Sequence, residues 1–162
     1  MGSGLIATES AKPRFALDSN ILVYSVDIGE AARHDSATVI IQRAARLDCV
    51  LPLQAISEFF VAVSRKRIMP ARRAAELATQ WLTIFSSSAV SASAIRSALA
   101  DNLARRASYW DALLVATAAE AGCSLVLTED MGDGSFLSGV QVHNPFTKEG
   151  GLTALTRQLL DI

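Results

Sequence analysis

Asp18, Glu58, Asp111 and Asp130 stand where a chain built for apolar packing should not put carboxylates, at the ends of apolar strands or on helices beside large apolar neighbours. A lone buried carboxyl group normally takes up a proton, and several converging on one spot repel each other unless a cation lies among them. Oxygen donors with no histidine or thiol nearby suit hard ions, so the pattern points to Mg²⁺ or Mn²⁺ rather than zinc. Such an ion lowers the pKa of a bound water and offsets the charge that grows on a phosphate, which is the chemistry of phosphodiester hydrolysis. Each acid also has an ordinary reading. Asp18-Ser19-Asn20 is a helix-capping or Asx-turn sequence, Asp111 a first-turn residue satisfying free N–H groups, Asp130 a turn residue, and Glu58 an exposed helix residue.

The elements that must position these acids alternate along the chain as short apolar runs and helical stretches, the pattern of an α/β fold with a parallel sheet covered by helices. Phe15 to Leu17 reads as a buried strand ending at Asp18, with Ile21 to Tyr24 continuing into a loop or first helix. A helix from about Ala31 to Arg46 turns Val39, Ile40 and Ala44 inward; Cys49 to Leu51 is a second strand closed by Pro52. From Gln54 to Arg67, Ile56, Phe59, Phe60 and Val63 recur at helical spacing to make an apolar face, and Pro70 ends that helix. Ala71 to Phe85 is a further helix, followed by a serine-rich turn, a short Ala89-Val90 strand and a helix from about Ser93 to Arg106. Asp111 to Ala121 is strongly helical with Gly122 placed as its C-terminal cap, and Ser124 to Leu127 is a strand ending at Thr128-Glu129-Asp130. A last strand lies near Val140 to Val142 and a terminal helix at Leu152 to Leu160. In such sheets ligands bind beyond the carboxyl ends of the strands, where Asp18 and Asp130 both fall.

One domain suffices for 162 residues, and 51% hydrophobic against 19% charged residues argues for a packed globular chain over a disordered one. We expect residues 1–12 to be a flexible N-terminal segment, 13–147 the domain and 148–162 a helical tail. No run approaches the ~20 apolar residues of a membrane span, and the first ten residues lack a secretory pattern, so the expected setting is cytoplasmic. Cys49 and Cys123, each among apolar residues, read as core side chains; His34 and His143 read as surface or packing residues. The net charge of −1 does not advertise nucleic acid binding, but Arg65, Lys66, Arg67, Arg72 and Arg73 cluster, as do Arg105 and Arg106, away from the four acids. The clusters either divide the surface by charge or are solvated helix faces.

The segments Ala16 to Tyr24, Ile56-Ser57-Glu58-Phe59, Tyr109 to Ala118 and Leu127 to Met131 together resemble the PIN-domain family, in particular VapC-type toxins of toxin–antitoxin pairs. The resemblance covers about Phe15 to Phe146, in matching order, spacing and local context. It implies a single α/β domain with a mostly parallel sheet flanked by helices, a metal site of Asp18, Glu58, Asp111 and Asp130, and endoribonuclease activity with Mg²⁺ or Mn²⁺. Ser19, Asn20 and Thr128 match polar positions of the motifs and take supporting roles, and Asp133 a secondary one. An antitoxin covering the acidic site and a homodimer are the implied protein partners. Arg65, Lys66, Arg67, Arg72 and Arg73 are the candidate RNA contacts. The tail from Leu152 to Leu160 runs past the family's usual end.

Two rival readings stand beside this one. A non-catalytic interaction module of the same fold has no reason to keep four mutually repelling carboxylates. An aspartyl-phosphate phosphatase with Asp18 as nucleophile should carry a second aspartate two residues on, where this chain has Asn20.

Overall fold

The computed structural model describes residues 11–162, so nearly all of the expected flexible segment lies outside the described residues. Its last two residues are described, and Lys12 pairs with Asp161 near the opposite end of the chain. Six strands of the described residues form one sheet: β1 (Phe15–Leu17), β2 (Cys49–Pro52), β3 (Ser86–Ser88), β4 (Leu125–Leu127), β5 (Phe136–Leu137) and β6 (Val140–His143). Their order is β3-β2-β1-β4-β6-β5, parallel throughout except for the β5–β6 pair. Every residue of β1, β2 and β4 is buried, because helices cover both faces of a parallel sheet and its inner strands must be apolar on both sides. The chain leaves β1 toward β2 and β3, then returns to β4 on the other side of β1. That reversal opens a crevice at the carboxyl ends of β1 and β4, the place where such sheets bind ligands.

Among the described residues seven helices flank the sheet: α1 (Ser19–Tyr24), α2 (Ala31–Ala44), α3 (Leu53–Arg65), α4 (Ala71–Ile84), α5 (Ala92–Leu103), α6 (Tyr109–Glu120) and α7 (Ala154–Leu160). Helix α3 buries Ala55, Ile56, Phe59 and Val63, and the Phe59 ring meets Trp81 of α4 edge-on at 4.7 Å. Phe60, expected on that inner face, is instead exposed, since one further residue turns the helix by about 100° and carries the ring off the stripe. Helix α6 is buried from Ala112 to Ala118, which its small side chains permit; Gly122, at φ +82°, closes it as expected. No helix among the described residues is long and apolar enough to cross a membrane.

The sheet departs from expectation at both edges. The third strand is Ser86–Ser88, paired with Val50 to Pro52, while Ala89 and Val90 lie beyond it and are exposed. An edge strand needs backbone partners on one side only, so a hydroxyl-rich run can serve and apolar content misleads. Strand β5, with no apolar run long enough to announce it, pairs with β6 through a tight turn at Ser138 and Gly139, both at positive φ as a type I′ hairpin requires. The tail folds back as α7 against α2, burying Leu159 and Leu160, and Arg43 donates to the Leu160 carbonyl at 2.9 Å.

Candidate active site

Asp18 leaves the end of β1 and caps α1, with its carboxyl group buried at 5% exposure. One oxygen accepts from the Ser19 amide at 2.6 Å and the other from the Thr128 hydroxyl at 2.7 Å. Burial raises its pKa, the two hydrogen bonds pull it back, and the charges of Glu58 and Asp130 raise it again, so the carboxyl group is pushed up to about 6. Thr128, fully buried just past β4, is the hub beneath the site. Its single proton goes to Asp18, while its oxygen accepts from the Asn20 side-chain amide and the Asp130 backbone N–H, each at 3.1 Å. The strand end is thereby tied to the opening of α1 and to the loop carrying Asp130.

Glu58 projects from α3 on the other side of Asp18. Ser19 donates to it at 3.1 Å and Gln54, one turn earlier, at 2.7 Å. The same Gln54 amide reaches the Trp110 carbonyl at 3.0 Å and so joins α3 to the start of α6. Ser108, not Asp111, caps α6, through a bond from the Asp111 N–H at 3.2 Å. The Asp111 carboxylate is thus not needed as the cap, and it faces a cavity of about 480 Å³ shared with Asp130, Arg106 and Phe136. A second cavity, of about 770 Å³, is lined by Ser19, Gln54, Glu58, Arg65 and Trp110. The first turn of α6 separates the two, Trp110 facing one and Asp111 the other.

The structure therefore gathers Asp18, Glu58 and Asp130 within electrostatic reach, with Asp111 lining the same cavity as Asp130. Among the described residues no three acidic, histidine or cysteine side chains form a ready metal cage. Ser19 and Thr128 stand between the carboxylates and hydrogen-bond them, which eases repulsion in a poorly solvated crevice. The donor set still fits a hard divalent ion: the exposed groups are carboxylate oxygens, and Asn20 adds a buried side-chain oxygen with no hydrogen-bond partner.

The remaining predicted residues lie farther out. Asp133 is turned from the cluster: one of its oxygens takes His143 Nδ1 at 3.0 Å and the Asn144 N–H at 2.8 Å. His143, buried, also meets Thr153 and Thr156 at the start of α7, so the pair joins the loop after β4 to the tail. Of the five cations proposed for RNA, Arg65 lines the Glu58 cavity. Lys66 and Arg67 are exposed at the end of α3, and Arg72 and Arg73 pair with Glu76 on α4 away from both cavities. Sequence reasoning missed Gln54, whose spacing of four from Glu58 was the available signal, and Arg106, held at the cavity rim by Asp101 at 3.0 Å. It missed Arg33 as well, which binds Glu129 at 2.7 Å and lies over the Tyr24 ring, bracing the residue between Thr128 and Asp130.

Comparison with known proteins matches residues 15–132 to the PIN domain. Among solved structures, the chain resembles Mycobacterium tuberculosis VapC20, described as a sarcin–ricin loop cleaving toxin, with a TM-score of 0.56 and 19% identity over 72% of this chain and 89% of that one. It also resembles VapBC2 from Rickettsia felis bound to a promoter DNA fragment, with a TM-score of 0.58 and 17% identity over 80% and 97% of the two chains. DNA-bound VapBC from Salmonella typhimurium gives a TM-score of 0.53 and 13% identity over 81% and 97%. A search of curated protein sequences gives no match. With the family match spanning most of the chain and the crevice acids falling inside it, the chain belongs to the PIN-domain family.

Proposed function

We propose that this protein is a metal-dependent endoribonuclease of the VapC type, the toxin of a toxin–antitoxin pair, with Asp18, Glu58, Asp111 and Asp130 holding Mg²⁺ or Mn²⁺. PIN-domain proteins are nucleases, and the solved structures that this fold resembles include a sarcin–ricin loop cleaving toxin and toxin–antitoxin complexes. The observation that carries the reading is Asp18 itself. A fold gains no stability from a carboxyl group buried at a strand end with two further acids in electrostatic reach, whereas a site that receives a divalent cation needs one.

A bound ion would supply a water of lowered pKa and offset the charge developing on the scissile phosphate. The chain's own part is positioning. Thr128 and the Ser19 amide fix both Asp18 oxygens, Ser19 and Gln54 fix Glu58, and the Ser108 cap leaves the Asp111 carboxylate free to face the cavity. In-line hydrolysis would leave a 5′-phosphate and a 3′-hydroxyl. Ser19 and Asn20 support the ligands; Asp133 acts through the loop that carries Asp130. Arg65 stands nearest the acids among the five cations and takes phosphate first, with Lys66, Arg67, Arg72 and Arg73 as a more distant field. An antitoxin segment covering the acidic crevice and a second copy of the chain are the proposed protein partners. Exposed apolar residues such as Val61, Leu82 and Ile84 on α3 and α4, or Ile95, Leu99 and Leu103 on α5, offer surface for them.

Purified protein should cut RNA with Mn²⁺ or Mg²⁺, stop on chelation, and leave 5′-phosphate ends. Asp18→Asn and Asp111→Asn should each abolish cutting while keeping a native circular dichroism spectrum. An Asp18→Asn protein cutting at the wild-type rate would refute the assignment.

A further inference from the structure

Two exposed aromatic rings flank the acidic crevice, one in each of its cavities. Trp110 is 63% exposed on the first turn of α6 and lines the cavity that holds Glu58 and Arg65. Phe136 is 68% exposed on β5 and lines the cavity that holds Asp111, Asp130 and Arg106. A single exposed apolar side chain is ordinary on any protein surface. Here the same trio of ring, arginine and site carboxylate occurs on both sides of one catalytic crevice.

Both rings stand on backbone that is held in place. The Trp110 carbonyl is held by Gln54, and its ring meets Tyr109 edge-on at 5.1 Å. Strand alternation turns Leu137 inward and Phe136 outward, and the Ser138-Gly139 turn fixes that register. Arg106 is tethered by Asp101 through a single nitrogen, which leaves its other donors for a ligand.

We propose that Trp110 and Phe136 are base-stacking platforms for single-stranded RNA, one on each side of the scissile phosphate, with Arg65 and Arg106 taking the adjoining phosphates. The proposal rests on the nuclease reading and extends it to how substrate is held. The carboxylates repel a polyphosphate backbone, so affinity has to come from elsewhere. Base faces stack on aromatic rings whatever the sequence, and arginines supply the opposite charge. A duplex keeps its bases stacked on each other and cannot use such platforms, so unpaired segments and loops are selected.

The test uses the full chain carrying Asp130→Asn, which by the nuclease reading binds RNA without cutting it, and a short unstructured oligouridylate against a hairpin duplex of equal length. Binding is read for every variant from the anisotropy of end-labelled RNA; in addition, Trp81 is buried and Trp110 exposed, so quenching of tryptophan emission in the parent reports stacking at Trp110. Expected results are saturable quenching by the single strand, weak binding of the duplex, and at least about fivefold weaker single-strand binding for Trp110→Leu and for Phe136→Leu. Trp110→Phe and Phe136→Tyr should bind like their parent, which separates stacking from damage to the fold. Leucine variants that bind as well as the parent, or a duplex that binds as well as the single strand, would overturn the proposal and leave the rings as a protein-docking surface. Wild-type cleavage with Mn²⁺ is measured in parallel. Cutting without dependence on the rings overturns the platforms alone, whereas ring-dependent binding without any cutting overturns the nuclease reading alone.

Discussion

Replacing Asp18 by asparagine should stabilise the protein at neutral pH while destroying its activity. The carboxyl group has an ordinary value of 3.8 and is pushed up to about 6 in the fold, first by burial and then by Glu58 and Asp130. The native state therefore binds this proton more tightly than the unfolded chain. Its contribution is most favourable below about pH 4, is lost as pH rises from there to about 6, and is flat above. At about 1.4 kcal/mol per pH unit, the separation costs the folded state roughly 3 kcal/mol at pH 7. Asparagine, like the neutral acid, keeps one full acceptor for the Ser19 amide and turns a hydrogen-bearing group toward Thr128, whose proton needs an acceptor; the mismatch is common to both, so the two proteins should be nearly equal at pH 4. Urea unfolding at steps from pH 4 to 8, with chelator present, gives the difference directly. The advantage of the variant should grow from near zero to about 3 kcal/mol, a rise of roughly 6–12 °C in midpoint for a chain of this size. Mn²⁺ should then raise the stability of the wild type and leave that of the variant unchanged. A difference that stays constant from pH 4 to 8, or a variant less stable than wild type at pH 7, would show that Asp18 carries no such strain.

Other perturbations test the frame around the site. Thr128→Val keeps the shape but strands the Asp18 oxygen, the Asn20 amide and the Asp130 N–H; unfolding in urea should show a loss of at least about 2 kcal/mol, and Mn²⁺ affinity should fall with it. Burial raises both thiols, Cys123 to about 11 and Cys49 well above its ordinary value, so a thiol-specific reagent at pH 8 should label neither in the native protein and both in urea. Gly150→Ala places a methyl group 2.8 Å from the Ala32 Cβ at a residue with φ +87°, and should lower stability by more than about 1 kcal/mol in thermal melts by prying the last loop from α2.

The sequence showed the central strands clearly because parallel strands buried on both faces are apolar without interruption, as Phe15 to Leu17 and Leu125 to Leu127 are. The crevice was legible for the same reason: a carboxylate directly after such a run has few other places to go. Legibility failed where backbone pairing, not burial, defines the element. Ser86 to Ser88 forms a strand on the strength of Val50 to Pro52 beside it, and β5 exists because Ser138-Gly139 can turn tightly. It failed again for Arg33, Gln54 and Arg106, whose partners Glu129, the Trp110 carbonyl and Asp101 are fixed by packing between elements. Asp133 shows the converse. Its place in an acidic loop suggested a secondary role beside the site, and its carboxylate is taken by His143 and the Asn144 amide.

How the four acids are distributed explains how one small domain tolerates them. Only Asp18 is deeply buried; it sits at the strand end, with both oxygens hydrogen-bonded. Glu58 and Asp111 are half-buried and Asp130 is exposed, so solvent screens their mutual repulsion and the destabilisation is concentrated at one residue. That residue lies at the end of a fully buried strand, where the loss is offset by a core running through Phe15, Leu17, Leu114 and Leu127. A cation arriving at the rim would meet three accessible carboxylates first and the strained one last. The chain can thus fold without the ion and still hold its greatest electrostatic need where the chemistry is proposed to occur.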